Sequence, residues 1–227
     1  MKTPQVYSTS RIYLFPPDQI PFAILSTQKG SQALIAKFQF QSNEAVPDLA
    51  GAGGALAYDR GIFERGKPLA ISRLHISQRN IQFEVNGESE DADAVYAAVV
   101  ETMKSVDKSF APTVLTFSEQ ASCVVKLDID FDSIFDKRFL AALKEKVTAD
   151  CVVNGLTPLM EIRKFSASIS YAQPQVTDGG ISIVPKPLTL EPRTGTPLGD
   201  RVFFVSAPTS TPKLLELCRS VESALKA

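Results

Sequence analysis

The alternation of apolar and polar residues along the chain predicts a mixture of helices and strands. Apolar residues recur at helical spacing in the segments 91–106, 133–147 and 211–226. Acidic residues in the first turn of the first segment complement the positive end of a helix dipole, and Pro212 suits the first turn of the last one. These three segments are predicted to be amphipathic helices, each of which buries one apolar stripe.

Other segments show the period of two that is typical of strands with one buried face. These strands are predicted at 32–41, 68–76, 80–85, 121–131, 162–171 and 201–206. The TDGG sequence at 177–180 predicts a hairpin turn, and the proline-rich stretch 184–197 predicts irregular chain or an edge strand. The predicted fold class is therefore α+β, with an antiparallel sheet and amphipathic helices packed on one face.

The two halves of the chain show a similar order of elements. Residues 33–46 and 122–135 each carry a lysine near the middle of a predicted strand. Each half then reads ββαββα, a permuted form of the ferredoxin-like order, although the middle helix of the first half, 43–57, contains a proline and several glycines. The alternatives are two duplicated halves, 1–107 and 108–227, or one continuous domain in which such alternation arose by chance.

Composition and charge exclude several classes of protein. Hydrophobic residues make up 44% of the chain and charged residues 22%, as in ordinary globular proteins. The formal net charge of −1 provides no global attraction to nucleic acid or anionic lipid. The first residues make a poor signal peptide, and no segment approaches the roughly 20 apolar residues of a membrane span. Cys123, Cys151 and Cys218 lack a CxxC spacing, which favours reduced thiols and a cytoplasmic location.

Three aspartates at alternate positions form the candidate metal site. In a strand, Asp128, Asp130 and Asp132 share one face, while Leu127 and Ile129 point to the other. Hard divalent cations prefer such oxygen ligands. The spacing begins like an EF-hand loop but lacks the glycine and the final glutamate of that motif. The alternative is a solvated outer face that ends in a helix cap at Asp132, where like charges also keep an edge strand from aggregating.

The glycine-rich stretch 50–61 does not complete a phosphate-binding motif. It lacks the third glycine of the dinucleotide fingerprint and the GK[ST] ending of a P-loop. Glycine lowers the cost of unusual backbone angles, so this stretch is predicted to be a flexible connection, a helix end rich in small residues, or a mobile lid. No cofactor is assigned to it.

Residues 60–79 form the one locally basic region, and they include the only histidine. The candidate binding residues are Arg60, Arg65, Lys67, Arg73, His75 and Arg79. Together they are suited to a phosphate, an acidic partner or single-stranded nucleic acid. Aromatic residues within this region are few, however, and a solvated surface with scattered ion pairs explains the same charges. Any Ser-His-Asp triad or Cys-His pair would have to use His75, and no nucleophile motif accompanies this histidine. No catalytic residue is therefore assigned.

The missing catalytic motifs favour a non-enzymatic interaction protein: an adaptor, an assembly subunit or a ligand-binding module. A protein partner or a second copy of the chain is the expected partner, through exposed strand edges or the 172–200 arm. If the halves are duplicated, a groove or a continuous sheet at their junction is the expected binding surface. The alternatives are a divalent-metal-dependent enzyme that acts on a phosphate ester through the aspartates, and a nucleic-acid-binding protein that uses 60–79.

Overall fold

A computed structural model describes residues 6–47, 54–130, 167–169 and 187–226. The four described helices are α1 (Phe22–Leu25), α2 (Gln28–Phe38), α3 (Ser89–Val106) and α4 (Thr211–Lys226). The described strands are β1 (Val6–Leu14), β2 (Ser42–Pro47), β3 (Gly54–Arg65), β4 (Lys67–Ser77), β5 (Asn80–Val85), β6 (Thr116–Lys126), β7 (Ala167–Ile169), β8 (Leu188–Pro192) and β9 (Val202–Ala207). A single 3₁₀ turn, Leu198–Asp200, precedes β9 within these residues. The α+β fold class is confirmed.

The described strands form one antiparallel sheet of nine strands in the order β2-β3-β4-β5-β1-β6-β9-β8-β7. β1 and β6 lie side by side near its middle, and Thr9 pairs with Ala121 there. Both halves of the chain therefore contribute to one continuous sheet.

The described helices cover a single face of this sheet. α2 contacts β3, α3 contacts β1 and β5, and α4 contacts β6 and β9. Directly paired residues of adjacent strands point to the same face. Tyr13, on the same face of β1 as Thr9, packs in a core with α3, while Ala121, the partner of Thr9, packs in a second core with Leu214 of α4. The two cores therefore lie on the same side of the sheet.

Local capping interactions explain where the long helices begin. The Thr27 hydroxyl accepts a hydrogen bond of 3.2 Å from the Gly30 amide at the start of α2. The Glu88 amide donates to the Asp91 carboxylate at 3.0 Å, and the Glu88 side chain completes a reciprocal capping box at the start of α3. Such caps satisfy amide groups that have no partner inside the helix.

Several sequence predictions are confirmed where periodicity and flanking signals agree. The structure contains the predicted helices at 91–106 and 211–226 and the predicted strands at 68–76, 80–85 and 201–206, within a residue or two at their ends.

Other predictions concern residues outside the described ranges. The predicted helix 133–147, the hairpin turn at 177–180, and the residues Asp132 and Cys151 all lie there. The predicted strand 162–171 is described only at 167–169, where β7 lies.

The predicted strand at 32–41 is wrong, because residues 28–38 form α2. Leu34 and Phe38 are both fully buried and stand four positions apart, so the same apolar residues satisfy the helical period as well as alternation. The middle helix predicted at 43–57 is also wrong, since this region forms β2 and the start of β3. The ββαββα order of the first half is therefore not confirmed.

Two further segments differ from the prediction. The glycine-rich stretch 50–61 is part of β3 from Gly54 onward, so it is no flexible connection there. Within the proline-rich stretch, residues 188–192 form β8, which pairs with β7 and β9 and is therefore not an edge strand. Both segments are rich in small residues or proline, which have a low intrinsic propensity for strands. Pairing with neighbouring strands overrides that propensity.

Candidate functional site

Asp128 and Asp130 lie beyond the end of β6 in exposed ion pairs. The strand predicted at 121–131 ends at Lys126, although the aspartates still point to solvent. Guanidinium nitrogens of Arg201 lie 2.9 Å from a carboxylate oxygen of each aspartate, and Lys226 Nζ lies 2.8 Å from Asp128 Oδ2. The hydrogen bond from Lys226 is the main reason why the pKa of Asp128 lies below its ordinary value. These ion pairs connect α4 to the end of β6.

The third aspartate of the predicted metal site, Asp132, lies outside the described residues. Within the described ranges, no group of three histidine, cysteine, aspartate or glutamate side chains is arranged to hold a metal ion. The metal site at Asp128, Asp130 and Asp132 therefore stays a prediction.

The predicted basic region is divided between separate places. At the β3–β4 hairpin, Arg65 stands opposite Lys67 and reaches the start of α3. Arg65 Nη1 lies 3.9 Å from the Asp91 carboxylate and donates to the Glu90 carbonyl at 3.4 Å. Arg65 is therefore engaged with a helix end.

Arg60 and Arg73 instead meet in a polar pocket of about 570 Å³ on β2, β3 and β4. We call it the arginine pocket; its lining residues are Gln41, Ser42, Asp59, Arg60, Ser72 and Arg73. Arg73 Nε donates to Asp59 Oδ1 at 2.8 Å, and this hydrogen bond raises the pKa of Arg73. Arg60 is exposed and forms no ion pair with any described residue.

His75 and Arg79 lie away from the pocket lining. His75 is half-buried on β4, where Ala57 and Gln82 are its cross-strand partners. Its Nδ1 atom is buried and has no hydrogen-bond partner among the described residues. Arg79 lies in the turn between β4 and β5. The predicted basic residues therefore do not form one continuous surface.

A separate groove with mainly apolar walls runs along α3. We call it the α3 groove; its volume is about 520 Å³, and its lining residues are Tyr96, Ala97, Val100, Lys104, Ala111, Pro112 and Val114. The chain then continues through Leu115 and Phe117, whose exposed fractions are 44% and 57%. Among the described residues, the only other exposed large hydrophobic side chains are Ile24 and Ile62. Apolar residues are thus concentrated at this place on the surface.

An aromatic stack joins the groove to the core. The ring centroids of Tyr13 and Tyr96 lie 3.9 Å apart, and those of Tyr13 and Phe117 lie 5.7 Å apart. Burial, followed by the effect of Tyr13, raises the pKa of Tyr96 to about 12. Both tyrosines are therefore uncharged at neutral pH, which keeps this surface apolar.

Arg11 fixes the wall on which the stack rests. Its guanidinium is buried and bonds to the carboxylates of Asp93 and Glu119, the Tyr13 hydroxyl at 3.0 Å and the Ser89 carbonyl at 3.0 Å. Burial lowers the pKa of Arg11, but the hydrogen bonds to both carboxylates outweigh burial, so the arginine stays charged. The network ties β1, β6 and α3 together and sets the position of the groove.

Sequence reasoning did not single out Leu115 or Phe117. Their alternation with Thr116 and Ser118 indicates a strand with a buried face, and Phe117 does point to the helix-covered face as the partner of Tyr13. The pattern carries no information on whether a helix covers that part of the face.

Comparison with known protein families found no match, and comparison with curated proteins found none either. Within the part of the chain that the structure describes, no helix has both the length and the apolar character of a membrane span.

Proposed function

We propose that the protein is a non-enzymatic assembly protein that associates with a second copy of itself through the α3 groove. The observation that carries this proposal is the exposure of Phe117 and Leu115 directly beside an apolar groove. Contiguous exposed apolar surface is typical of protein–protein interaction sites. Aromatic residues are also enriched in the buried centres of such interfaces.

A second copy fits this surface because it carries both a projection and a depression. In an isologous dimer the same patch of each copy forms the interface, so residue i meets residue j and residue j meets residue i. Phe117 lies at the start of β6 with 57% of its side chain exposed, and Tyr96 and Val100 line the adjacent groove. Phe117 of one copy therefore enters the groove of the other, and the reverse contact forms at the same time.

Sedimentation velocity over a range of concentrations tests this self-association. The wild-type chain is expected to form a dimer, and Phe117→Ser is expected to weaken the dimer roughly a thousandfold, since it removes two symmetry-related aromatic hot spots of about 2 kcal/mol each. Ile62→Ser is the matched control, because Ile62 is an exposed apolar residue on β3 outside the groove. A wild-type monomer at all concentrations, or equal effects of both substitutions, contradicts the proposal.

We further propose that residues 1–107 and 108–227 are duplicated halves, joined at β1 and β6. Among the described residues, each half opens on a strand, β1 or β6, and ends on a strand followed by a helix, β5 and α3 or β9 and α4. Support comes from an offset of 122 residues that is shared by the last strand and the last helix of each half. It relates Asn80 to Val202 at the starts of β5 and β9 and Ser89 to Thr211 at the starts of α3 and α4. Equal spacing is expected of copies of one unit.

The strand register supports the same relation independently. Thr9 pairs with Val85 in the first half, and Ala121 pairs with Ala207 in the second, so Thr9 and Ala121 are equivalent positions. These two residues also pair with each other across β1 and β6. A residue that meets its own equivalent marks a twofold axis.

The helix starts make a reciprocal contact near this axis. The Ser89 amide donates to the Thr211 hydroxyl at 3.1 Å, and the Thr211 amide donates to the Ser89 hydroxyl at 2.7 Å. Each residue thus caps the other's helix. The exchange of equivalent hydrogen bonds is the pattern that a twofold relation produces.

The two alternative functions have less support. For the divalent-metal enzyme, Asp128 and Asp130 are already paired with Arg201, and Asp128 also with Lys226. For nucleic-acid binding, the basic residues are divided between the β3–β4 hairpin and the arginine pocket. Both remain proposals, and the self-association through the α3 groove is preferred to them.

A further inference from the structure

We propose that the arginine pocket binds a phosphate group of a small ligand. This site lies on β2, β3 and β4, whereas the α3 groove lies between α3 and the segment before β6. The proposal goes beyond self-association and does not depend on it, so each can fail without the other.

Two guanidinium groups from adjacent strands line this one pocket. Arg60 belongs to β3 and Arg73 to β4, and Ser42 and Ser72 belong to the same lining. The Ser72 hydroxyl donates to Asn86 Oδ1 at 3.4 Å and would have to turn from it to reach a ligand. Arg73 donates from Nε to Asp59, and its two terminal nitrogens form no hydrogen bond with any described residue. Guanidinium forks bind phosphate oxygens in pairs, and hydroxyls donate to the remaining oxygens. The pocket therefore offers donors on several sides of one tetrahedral anion.

The backbone of Arg60 has a conformation that is uncommon for a residue with a Cβ atom, as have Asp18, Gln39 and Arg201. Its φ of 55° lies in the left-handed region, which disfavours residues with a Cβ atom and suits glycine. Strain of this kind concentrates at functional sites. Of these four residues, Arg60 is the one on the lining of the arginine pocket, at a position where glycine would relieve the backbone.

The surrounding packing fixes this backbone conformation. The β3–β4 register is the same on both sides of Arg60, at the Asp59–Arg73 and Gly61–Ile71 pairs, while no ladder pair joins Arg60 to Ser72. On the other side of β4, the register with β5 shifts between Ile71 and Arg73. A Cβ atom at Gly61 would lie 2.5 Å from the Phe40 ring, so the strand approaches Phe40 closely at this point. Arg60 is consequently presented by a rigid part of the sheet and not by a loose loop.

On the lining of the arginine pocket, arginines outnumber acidic residues. Asp59 is the one acidic residue on its lining, against two arginines, and it is held by Arg73. Glu44 and Glu84 lie near enough to influence Arg73 without lining the pocket. A phosphate offers more acceptor oxygens than a carboxylate and matches two guanidiniums better.

Titration of the full-length protein with inorganic phosphate, followed by amide chemical shifts in NMR spectra, tests this site. Saturable shifts are expected at residues 59–61 and 72–73, with acetate at equal ionic strength binding at least tenfold more weakly. The absence of saturable shifts at these residues overturns the proposal, and so does acetate binding as tightly as phosphate.

Arg60→Gly is the decisive variant, because glycine suits the local backbone. It is expected to weaken phosphate binding at least tenfold without lowering the thermal midpoint. Asp59→Asn is expected to tighten binding, since it removes the negative charge from the lining. Arg65→Gln, an exposed arginine of the same strand outside the pocket, is the control and is expected to bind as the wild type does. Equal affinity in Arg60→Gly and wild type overturns the proposal.

Discussion

Helices α3 and α4 lie in corresponding places on the sheet but are anchored by different interactions. Each follows its strand after a short connection, 86–88 for α3 and 208–210 for α4. α3 is anchored by Arg11 of β1, whose side chain is 6% exposed and pairs with Asp93 of α3, 68% exposed, and with Glu119 of β6, 12% exposed. The buried part of this anchor is the Arg11–Glu119 pair.

At α4, Lys226 and Arg201 meet Asp128 at the surface, where the aspartate side chain is 65% exposed.

This difference shows how one arrangement of elements tolerates two kinds of anchor. Breaking a buried ion pair leaves an uncompensated charge in a region of low polarity, which is costly. An exposed pair loses little, because water and salt already screen both charges. The stability of α3 is therefore expected to depend strongly on its charged anchor. The stability of α4 is expected to depend mainly on apolar packing around Leu214 and Cys218.

The largest expected effect follows removal of the buried cation. Arg11→Met keeps most of the side-chain volume but leaves the nearly buried Glu119 without its partner. We expect the free energy of unfolding to fall by about 4 kcal/mol, as measured by urea denaturation at pH 7. The double variant Arg11→Met/Glu119→Leu removes both charges and is expected to recover most of this loss. A loss below about 1 kcal/mol in the single variant contradicts the buried-anchor interpretation.

The next largest effect is expected when apolar residues at equivalent positions of α3 and α4 are truncated. Met103 of α3 is fully buried, while Leu225, its equivalent in α4 at the same offset of 122 residues, is only partly buried. Met103→Ala is expected to destabilise the protein by about 3 kcal/mol and Leu225→Ala by about 1 kcal/mol. Thermal and chemical denaturation of both variants measures the difference. Equal losses would show that the two helices bury their apolar stripes to the same extent.

A smaller effect concerns the contact between the helix starts. Ser89→Ala and Thr211→Ala each remove a reciprocal cap and are expected to cost about 1 kcal/mol. Because each residue caps the other's helix, the two losses are expected not to add, and a double-mutant cycle measures their coupling energy. Fully additive losses would show that the two caps are energetically independent, which would count against the twofold relation between the halves.

The smallest effect is expected at the exposed anchor. The folded-state pKa of Asp128 is lowered, first by the hydrogen bond from Lys226, so this pair stabilises the protein only while the carboxylate is ionised. Its contribution is complete above the unfolded-state pKa of about 3.9 and is lost as the pH falls through the folded-state value. Asp128→Asn is therefore expected to lower the thermal midpoint slightly at pH 7 and not at pH 2. A larger decrease in the thermal midpoint at pH 2 than at pH 7 would contradict stabilisation by the ionised Asp128 carboxylate.

The same comparison shows what the sequence could predict. α3 and α4 are long, strongly periodic segments with capping residues at or near their starts, so local pattern and packing agree. The short apolar run of α2 fits both the helical period and the alternation of a strand. The apolar pattern alone does not identify Thr27 as the cap of this helix. β3 begins with glycine and alanine, which carry little strand propensity, and pairing with β2 and β4 determines its structure.

The candidate sites were less predictable than the helices. Arg60 and Arg73 belong to one predicted basic region, but the conformation of β3 at Arg60 depends on the close approach of Gly61 to Phe40. The α3 groove joins residues of α3 to the segment before β6, and the exposure of Phe117 depends on which part of the sheet the helices leave open. Such contacts between distant residues leave no periodic signal in one sequence.

Photo-cross-linking from position 117 tests the central claim most directly. A benzophenone-bearing phenylalanine analogue replaces Phe117, and ¹⁵N-labelled and unlabelled copies are mixed before irradiation. The proposed dimer predicts cross-linked peptide pairs that carry one label each and join position 117 to the 96–104 segment of α3. Cross-links found only within single copies, with no product of dimer size, would contradict self-association through the α3 groove.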